Sequence, residues 1–323
     1  MFIGFTMDQG VLKRFTPEPW EKKVIVPGNC TEIADFAFQS IDTLERVVIP
    51  GGCRRIGEGA FRDCRALAEV KMENGIKIIG KEAFLGCASL CTVELPDTLE
   101  RVEENAFGEI PWYQALRSQR RHKGKLLRKK NDFVRFGTSY YEYVGHDGVV
   151  AIPEGGTYLS RNAFRWAESE ACQGKKKDCC AEITSLVIPS WCRELPKGMF
   201  QSMNSLGSVS FLEGCEVIGE ECFSDCGALT EVKLPESLKR VEAMAFQNCE
   251  HLVGVEFRQG CQEIGRFAFF GCFELCWVVL PDSMKKIEES AFSDCQRLKE
   301  CRVPKECELA QGVFDDTTRV IRE

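Results

Sequence analysis

Hydrophobic positions recur along most of the chain at one fixed interval. A phenylalanine, usually preceded by alanine, appears every 23 residues within two blocks, at Phe38, Phe61, Phe84 and Phe107 and then at Phe200, Phe223, Phe246, Phe269 and Phe292. Phe164 and Phe314 extend the series, so the sequence predicts eleven repeats. One such repeat buries too little apolar surface on its own, so it must stack on its neighbours.

Each repeat also contains the pattern Leu-x-x-Val-x-Leu, as at Leu229, Val232 and Leu234. Its last three residues alternate between the two sides of the chain, which predicts a short strand. Proline then ends the strand in most repeats, because proline has no N–H to donate. The pattern predicts a mainly-β repeat solenoid. We expect a right-handed solenoid of about eleven coils, with parallel strands on one face, short irregular or extended segments opposite, a buried phenylalanine column and one larger insertion.

These residues carry a family resemblance. The unit Leu-x-x-Val-x-Leu-Pro, followed by Ile-Gly-x-x-Ala-Phe-x-x-Cys, resembles the BspA-like leucine-rich repeat family over residues 24–314. Pro111-Trp112-Tyr113 resembles an insertion found between repeats in that family. The resemblance implies a leucine-rich-repeat fold. For many members it also implies surface display and adhesion to host or matrix proteins.

The repeats and their interruptions predict five segments along the chain. They are an N-terminal cap at 1–23, repeats one to four at 24–110, a basic and aromatic insertion at 111–148, repeats five to eleven at 149–314 with a loop at 166–182, and a C-terminal cap at 315–323.

Composition narrows the functional classes. The 323 residues are 44% hydrophobic and 28% charged, as in a globular protein. No apolar run approaches the roughly 20 residues that cross a bilayer. The start of the chain lacks the basic region of a signal peptide. We therefore expect no membrane span and a cytoplasmic location, or a surface or secreted one if a leader was removed. The net charge of -7 argues against a globally electropositive nucleic-acid binder.

The nineteen cysteines fall mainly into two columns of the repeat. One column lies three residues after the phenylalanine, at Cys64, Cys87, Cys226, Cys249, Cys272 and Cys295, and the other lies eight before it, at Cys30, Cys53, Cys192, Cys215 and Cys261. Isoleucine, leucine or methionine replaces cysteine in other repeats of the second column, so cysteine acts as a small hydrophobe. We expect buried free thiols, with a disulfide ladder or metal binding as alternatives. Cys172, Cys179 and Cys180 are expected in a flexible exposed loop, with a redox or metal site as the alternative.

Motifs of catalysis are missing from the sequence. It contains no phosphate-binding glycine loop, nucleophile elbow, zinc-protease motif or dinucleotide fingerprint. Paired glutamates such as Glu220 and Glu221 are expected on a solvated face. We predict no enzyme activity, no cofactor and no metal site. The alternative is an enzyme or enzyme subunit with its site in the insertion between 108 and 148, and its sign would be burial of His122, His146 or Glu142 together in one pocket.

A basic segment at 117–130 holds eight basic residues in fourteen and no acid, which leaves about -15 on the rest of the chain. It predicts a site for an anionic partner: nucleic acid, acidic lipid or acidic protein. Its candidate contacts are Arg120, Arg121, Arg128, Lys129 and Lys130. The alternative is an exposed helix and hairpin that folds against the acidic surface of the chain itself.

The strand face supplies the remaining candidate site. The third and fifth positions of Leu-x-x-Val-x-Leu point outward and are mostly polar, and the fifth-position pairs Lys71–Glu94 and Lys233–Glu256 are expected to attract each other across strands.

Trp277 and Val279 instead place two apolar side chains on one outward rung, flanked by Glu256, Glu300 and Arg302. Apolar anchors ringed by charge are typical of interface hot spots. We therefore predict a non-catalytic module for protein–protein interaction or adhesion, which docks an unknown protein ligand or a second copy at Trp277, Val279, Glu256 and Arg302. The alternative is that a C-terminal segment or the insertion covers this rung.

Overall fold

The computed structural model describes residues 4–108, 110–115, 133–136, 138–143, 145, 147–161, 163–164 and 183–323. The chain forms two compact units, each of which is described by itself below. Unit 1 comprises Met1–Tyr143 and Thr157–Asn162, and unit 2 comprises Val144–Gly156 and Ala163–Glu323.

Unit 1 is built from short strands, two in each coil. Its strands are β1 (Phe5–Asp8), β2 (Val11–Phe15), β3 (Lys23–Ile25), β4 (Glu32–Ile33), β5 (Arg46–Ile49), β6 (Arg55–Ile56), β7 (Glu69–Met72), β8 (Ile78–Ile79), β9 (Thr92–Glu94), β10 (Arg101–Val102), β11 (Phe133–Phe136), β12 (Ser139–Tyr143) and β14 (Tyr158–Leu159). The longer strands form the parallel sheet β3-β5-β7-β9, and the two-residue strands continue from the antiparallel hairpin β1–β2 as β4-β6-β8-β10. A third sheet has the order β11-β12-β14, and residues 111–115 form a helical turn.

Unit 2 repeats the same plan. Its strands are β13 (Val149–Ala151), β15 (Ser185–Ile188), β16 (Glu194–Leu195), β17 (Ser208–Phe211), β18 (Val217–Ile218), β19 (Glu231–Lys233), β20 (Arg240–Val241), β21 (Gly254–Glu256), β22 (Glu263–Ile264), β23 (Trp277–Val279), β24 (Lys286–Ile287), β25 (Glu300–Val303), β26 (Glu308–Leu309) and β27 (Arg319–Arg322). The long strands form the parallel sheet β13-β15-β17-β19-β21-β23, and β25 pairs with β27. The two-residue strands form the sheet β16-β18-β20-β22-β24-β26.

The predicted phenylalanine column is present in both units. Successive rings in unit 1 lie 4.6 to 5.6 Å apart between centroids, at Phe15, Phe38, Phe61, Phe84 and Phe107. In unit 2 the spacing is 5.0 to 5.5 Å, at Phe164, Phe200, Phe223, Phe246, Phe269, Phe292 and Phe314. Most of these rings are fully buried, so the column is the core of each stack.

The predicted mainly-β parallel solenoid is confirmed, and the structure adds two details. The segments opposite the long strands, expected to be irregular or extended, form a second parallel sheet of two-residue strands. Phe15, which lies 23 residues before Phe38, is a further member of the column. The sequence pattern did not predict this member, because Phe15 follows arginine and lies in the segment 1–23 that was assigned to an N-terminal cap.

A tight turn surrounds each phenylalanine, and its residues have positive φ at two positions. The first position lies two residues after the phenylalanine. Asp63, Asp225 and Asn248 occupy it in three of the coils, and aspartate and asparagine tolerate the left-handed region. Two residues before the ring, Glu82 and Met244 adopt φ of 54° and 56° without any such tendency. Their N–H groups donate to carbonyl oxygens of the next coil, at 2.9 Å in both cases. Hydrogen bonds between coils therefore impose this backbone shape.

Within the described ranges, no helix has the length and apolar character that a bilayer crossing requires.

Candidate functional site

The long-strand sheet of unit 2 presents Trp277 and Val279 on its outer face. Strands β21 and β23 run parallel, with Gly254 opposite Trp277 and Glu256 opposite Val279. The alternating residue Val278 is buried, while Trp277 and Val279 are 46% and 48% exposed. The alternation of the strand therefore places both apolar side chains in solvent, as the sequence indicated.

The indole of Trp277 packs against the backbone of the preceding coil. A Cβ added at Gly254 would lie 1.9 Å from Cε2 and 2.3 Å from Cζ2 of Trp277. The backbone of Gly254 has no positive φ, so the backbone does not require glycine there, and it is the Trp277 ring that fills the space of a side chain. The ring is thus held in place while nearly half of the residue stays exposed.

Two further residues extend this apolar surface. Val253, on the coil before that of Trp277, is 45% exposed. Cys276, the residue directly before Trp277, is also exposed. The Cys276 thiol donates to the carbonyl oxygen of Val253 at 3.3 Å, which joins the two coils. We call Val253, Cys276, Trp277 and Val279 the Trp277 patch.

Sequence reasoning missed Val253 and Cys276 because it assigned only the third and fifth positions to the outer face. Both residues occupy the second position of the strand pattern. A signal was available there, since unit 2 otherwise has polar, small or charged residues at that position, at Thr184, Gly207, Thr230 and Lys299.

Charged pairs surround the patch. Glu256 accepts from Arg258 at 2.9 Å, and Arg302 on β25 lies 3.9 Å from Glu300 and 3.2 Å from Glu323. All of these side chains are largely exposed, so each pair contributes at most about 1 kcal/mol to stability. The structure thus brings Glu256 onto the strand next to Trp277, and it places Arg302 on the following long strand.

Of the two ion pairs predicted between neighbouring strands, Lys71–Glu94 is present, and the prediction of Lys233–Glu256 is wrong. Lys71 Nζ lies 3.3 Å from Glu94 Oε2 on the neighbouring strand, as predicted. Lys233 instead contacts Glu231 of its own strand at 3.1 Å, and Glu256 takes Arg258. Strands β19 and β21 pair only at Glu231 and Gly254, so the ladder ends before it could align Lys233 with Glu256.

The C-terminal segment does not cover the Trp277 rung. Strand β27 pairs side by side with β25, so it adds one more strand to the stack of coils instead of crossing the outer face. Trp277 keeps its exposure with the C-terminal residues in place. The alternative interpretation also allowed the insertion at 111–148 to cover the rung. Much of that insertion lies outside the described residues.

The described part of the insertion holds a buried carboxylate. Glu142 on β12 accepts a hydrogen bond from the Tyr113 hydroxyl, and the Tyr141 hydroxyl accepts from the Phe107 N–H at 3.3 Å. Burial raises the pKa of Tyr141 well above its usual range. His122 and His146 lie outside the described residues. Of the three groups that the catalytic alternative names, the structure therefore describes Glu142 alone, and that alternative stays open.

The basic segment at 117–130 also lies outside the described residues. This applies to Arg120, Arg121, Arg128, Lys129 and Lys130, and equally to the loop cysteines Cys172, Cys179 and Cys180.

Paired glutamates are less solvated than the sequence suggested. Glu220 and Glu221 are half-buried, and Lys197 of the preceding coil reaches both, at 2.7 and 3.6 Å. Of the three histidines, His251 is described: it is exposed, with Nδ1 2.6 Å from the carbonyl oxygen of Gly227. These groups tie coils together and form no acid–base site among the described residues.

The thiols of the first cysteine column are hydrogen-bond donors as well as apolar groups. Each donates to the carbonyl oxygen of the phenylalanine 26 residues earlier, as Cys226 does to Phe200 at 3.1 Å. The same bond, at 3.0 to 3.3 Å, is made by Cys64, Cys87, Cys249, Cys272 and Cys295. Burial raises the pKa of Cys226 to about 12, which keeps the thiol protonated and able to donate.

All described cysteines are free thiols, and two of them, Cys91 and Cys276, are exposed. Within the described part of the chain, no group of three or more histidine, cysteine, aspartate or glutamate residues could hold a metal ion.

Solved structures of several bacterial proteins are similar to this chain. A leucine-rich repeat protein from Bacteroides ovatus is 21% identical, with 99% of this chain and 97% of that chain covered and a TM-score of 0.49. A leucine rich cell surface protein from Faecalibacterium prausnitzii is 18% identical, with 96% and 92% covered and a TM-score of 0.38. A leucine-rich repeat protein from Eubacterium ventriosum is 16% identical, with 96% and 88% covered and a TM-score of 0.39. Among curated proteins there is no match.

The family comparison is more direct, because it matches the sequence repeat itself. Six copies of the BspA type leucine rich repeat region match, at 21–113, 177–253 and 216–321. Together these ranges span well over half of the chain, and they contain the Trp277 patch. The chain belongs to the BspA type leucine-rich repeat family.

Proposed function

We propose that this chain is a non-catalytic protein-interaction module that binds a protein partner through the Trp277 patch. The observation that carries the proposal is the half-exposed indole of Trp277, fixed on Gly254 at the centre of the exposed apolar residues Val253 and Val279. Repeat solenoids use such extended outer surfaces for binding.

Preorganisation supports the Trp277 patch as an anchor. Ordering a mobile side chain at an interface costs free energy, and a ring already packed on Gly254 avoids much of that cost. Tryptophan is also enriched among residues that dominate binding energy. The ion pairs at Glu256 and Arg302 form a polar rim, which fits the usual anatomy of a protein interface.

A reducing, cytoplasmic location is part of the proposal. The first cysteine column uses its S–H groups to bind carbonyl oxygens, as at Cys249 and Phe223. That use requires reduced sulfur, which reducing compartments maintain. Peptide mapping of the thiols in protein isolated from its source cells tests this location, since bridged column cysteines would contradict it.

Site-specific photo-crosslinking tests the binding surface. A benzoylphenylalanine at Val279, in an extract of the source cells, should give a discrete adduct with a protein. The same probe at Ser210, which occupies the equivalent position on β17, is the matched control. The Val279 adduct should disappear when Trp277→Ala is added. An adduct that is equal at both positions, or that survives Trp277→Ala, would overturn the proposal.

A further inference from the structure

The charged residues on either side of the Trp277 patch follow a definite order. Strand β23 lies between β21 and β25 in the stack. At the fifth position of the strand pattern, these three strands carry Glu256, Val279 and Arg302 in turn. The side chain of Glu256 is 45% exposed and that of Arg302 is 67% exposed. An acid therefore stands on one side of the patch and a base on the other.

The third position repeats this order one strand farther out. Glu231 on β19 is in register with Gly254, and Gly254 is in register with Trp277. On the other side, Arg319 on β27 is in register with Glu300 on β25. The side chains of Glu231 and Arg319 are exposed. Two strands away from β23, an acid again stands on one side and a base on the other.

This order is complementary to a second copy of the same face. In a face-to-face contact with a two-fold axis along β23, the order of the strands is reversed, while each position keeps its place along the strand. Arg302 then faces Glu256 of the second copy, and Arg319 faces Glu231 of the second copy. The apolar rung of β23 faces itself. Each charge pair forms twice in such a contact, and opposite charges that face each other across an interface favour binding.

Other axes parallel to the strands lack this complementarity. An axis along β21 would oppose Glu256 to Glu256 of the second copy, and an axis along β25 would oppose Glu300 to Glu300. An axis midway between β21 and β23 would oppose Glu231 to Glu300. An axis midway between β23 and β25 would press Glu300 against Trp277 without a basic partner. Because like or unpaired charges at an interface oppose binding, the charges select the axis along β23.

An axis that runs along the stack, across the strands, adds less. It would bring Glu231 to Lys233 and Glu300 to Arg302 of the second copy. Lys233 already contacts Glu231 of its own strand at 3.1 Å, and Arg302 already lies 3.9 Å from Glu300 of its own strand. The axis along β23 instead pairs Arg302 with Glu256, which lie on different sides of the patch within one chain.

We propose that the partner of the Trp277 patch is a second copy of this chain, bound face to face about a two-fold axis along β23. The inference rests on the proposed function, in which this patch binds a protein. An isologous interface needs a surface that complements itself, and the apolar centre with an acid and a base on opposite sides meets that requirement. The patch is small, so the dimer should be weak, with a dissociation constant in the micromolar range.

Exchange of the two charges tests the axis. Sedimentation of the purified full chain should show a dimer that dissociates on dilution. Arg302→Glu and Glu256→Arg should each raise the dissociation constant at least about tenfold, since each places like charges opposite each other. The double variant should restore the dimer, because Glu at 302 then faces Arg at 256 of the second copy. A monomer at every concentration, or a double variant no better than the single ones, would overturn the proposal. Circular dichroism checks that all three variants fold.

Two exposed cysteines provide an independent test. Cys91 and Cys276 both occupy the second position of the strand pattern and are exposed. The axis along β23 places Cys276 opposite Cys276 of the second copy, whereas Cys91 is outside the patch. A short bismaleimide, added to the full chain without oxygen, should therefore link two chains through Cys276. Cys276→Ser should abolish this linked dimer, and Cys91→Ser is the control that keeps it. A dimer that is linked through Cys91 as often as through Cys276 would contradict the contact.

The photo-crosslink at Val279 separates this inference from the proposed function. If the partner is a second copy, the adduct has twice the mass of the chain and also forms with purified protein. A Trp277-dependent adduct with a different protein, together with a purified chain that stays monomeric, would overturn the dimer and leave the proposed function in place. Absence of any Trp277-dependent adduct together with a monomeric chain would overturn both.

Discussion

Trp277 and Gly254 are matched across neighbouring coils: the indole occupies the space that a side chain at position 254 would need, with Cε2 1.9 Å from the site of a Cβ. Unit 1 contains a second case. The Phe36 ring, 44% exposed, lies 2.4 Å from the site of a Cβ at Gly59. In both units an exposed aromatic residue is therefore held by a glycine on an adjacent coil, so the glycine controls the position of the ring.

Trp277→Ala should weaken binding of the crosslinked partner by about 2 kcal/mol or more, which is a loss of roughly 30-fold in affinity. The reason is that the central apolar anchor of the patch is removed, while the buried Val278 keeps the strand in place. Titration calorimetry measures the affinity, and circular dichroism checks the fold. Unchanged affinity in a folded Trp277→Ala variant would contradict the role of the patch.

Gly254→Ala tests the pairing without removing the indole. The added methyl group should displace the Trp277 ring and reduce binding in the same direction as Trp277→Ala. Because the backbone at 254 accepts alanine, stability should change by no more than about 1 kcal/mol. Gly227→Ala is the matched control, since a Cβ at Gly227 meets nothing within 4 Å. Equal binding by the two variants would show that the position of the ring is irrelevant.

Phe246→Ala should cost unit 2 about 3 to 5 kcal/mol, because a fully buried ring is lost between two fixed neighbours. Glu220→Ala should cost less than about 0.5 kcal/mol, since its ion pair with Lys197 is 42% exposed on both sides. Denaturant unfolding curves measure both values. Equal losses at the two sites would contradict a core built on the phenylalanine column.

The phenylalanine repeat predicted most of the fold because the same residue type fills the core at the same position of each coil. The repeat also predicted Phe164, which insertions separate from its neighbours, and Phe314, which follows Phe292 by 22 residues, and the structure places both in the column. The left-handed turns at Glu82 and Met244 were not predictable in the same way. Hydrogen bonds to the next coil impose them, and such contacts leave no trace in the local sequence.

The candidate site was predicted in part. Period-2 alternation was enough to place Trp277 and Val279 on the outer face. It could not reveal the contact with Gly254, because that contact depends on which way the ring turns. It also could not find the Lys233–Glu231 pair, since the end of the ladder at Gly254 decides which partner Lys233 meets.

Thiol reactivity should separate the described cysteines into two groups. A thiol reagent applied to the native protein without oxygen should modify Cys91 and Cys276, because both are exposed. The loop cysteines Cys172, Cys179 and Cys180 are predicted to react as well. The column cysteines should react only after unfolding, as burial raises the pKa of residues such as Cys64 to about 12. Fast labelling of Cys64 in folded protein, seen by peptide mapping, would contradict their burial.

Neutralising Arg120, Arg121, Arg128, Lys129 and Lys130 should abolish salt-sensitive retention on heparin, because each phosphate or sulfate contact releases counterions. The melting temperature should stay nearly unchanged. The control neutralises five exposed basic residues of unit 2, namely Lys233, Lys285, Arg297, Lys299 and Lys305, and should retain heparin binding. A large fall in melting temperature for the first variant would instead support docking of the segment on the acidic surface of the chain.

Stability should be flat through neutral pH and fall steeply above about pH 9. Burial raises the pKa of Cys215, Cys226 and Cys295 to about 12 in the folded chain, while the same thiols titrate near 9 when unfolded. Above pH 9 the unfolded chain loses these protons and the folded chain keeps them, so alkali favours unfolding. Each such thiol removes up to about 1.4 kcal/mol of stability per pH unit between its two pKa values.

Urea midpoints measured from pH 7 to pH 11 test this linkage. Cys226→Ala should reduce the slope above pH 9, because one titrating group has been removed, even though the variant is less stable at pH 7 through loss of the thiol and of its bond to Phe200. Cys91→Ala is the control, because Cys91 is exposed and should leave the slope unchanged. A midpoint that stays constant up to pH 11, or an equal change of slope in both variants, would show that the column thiols ionise in the folded chain and are not the buried donors seen here.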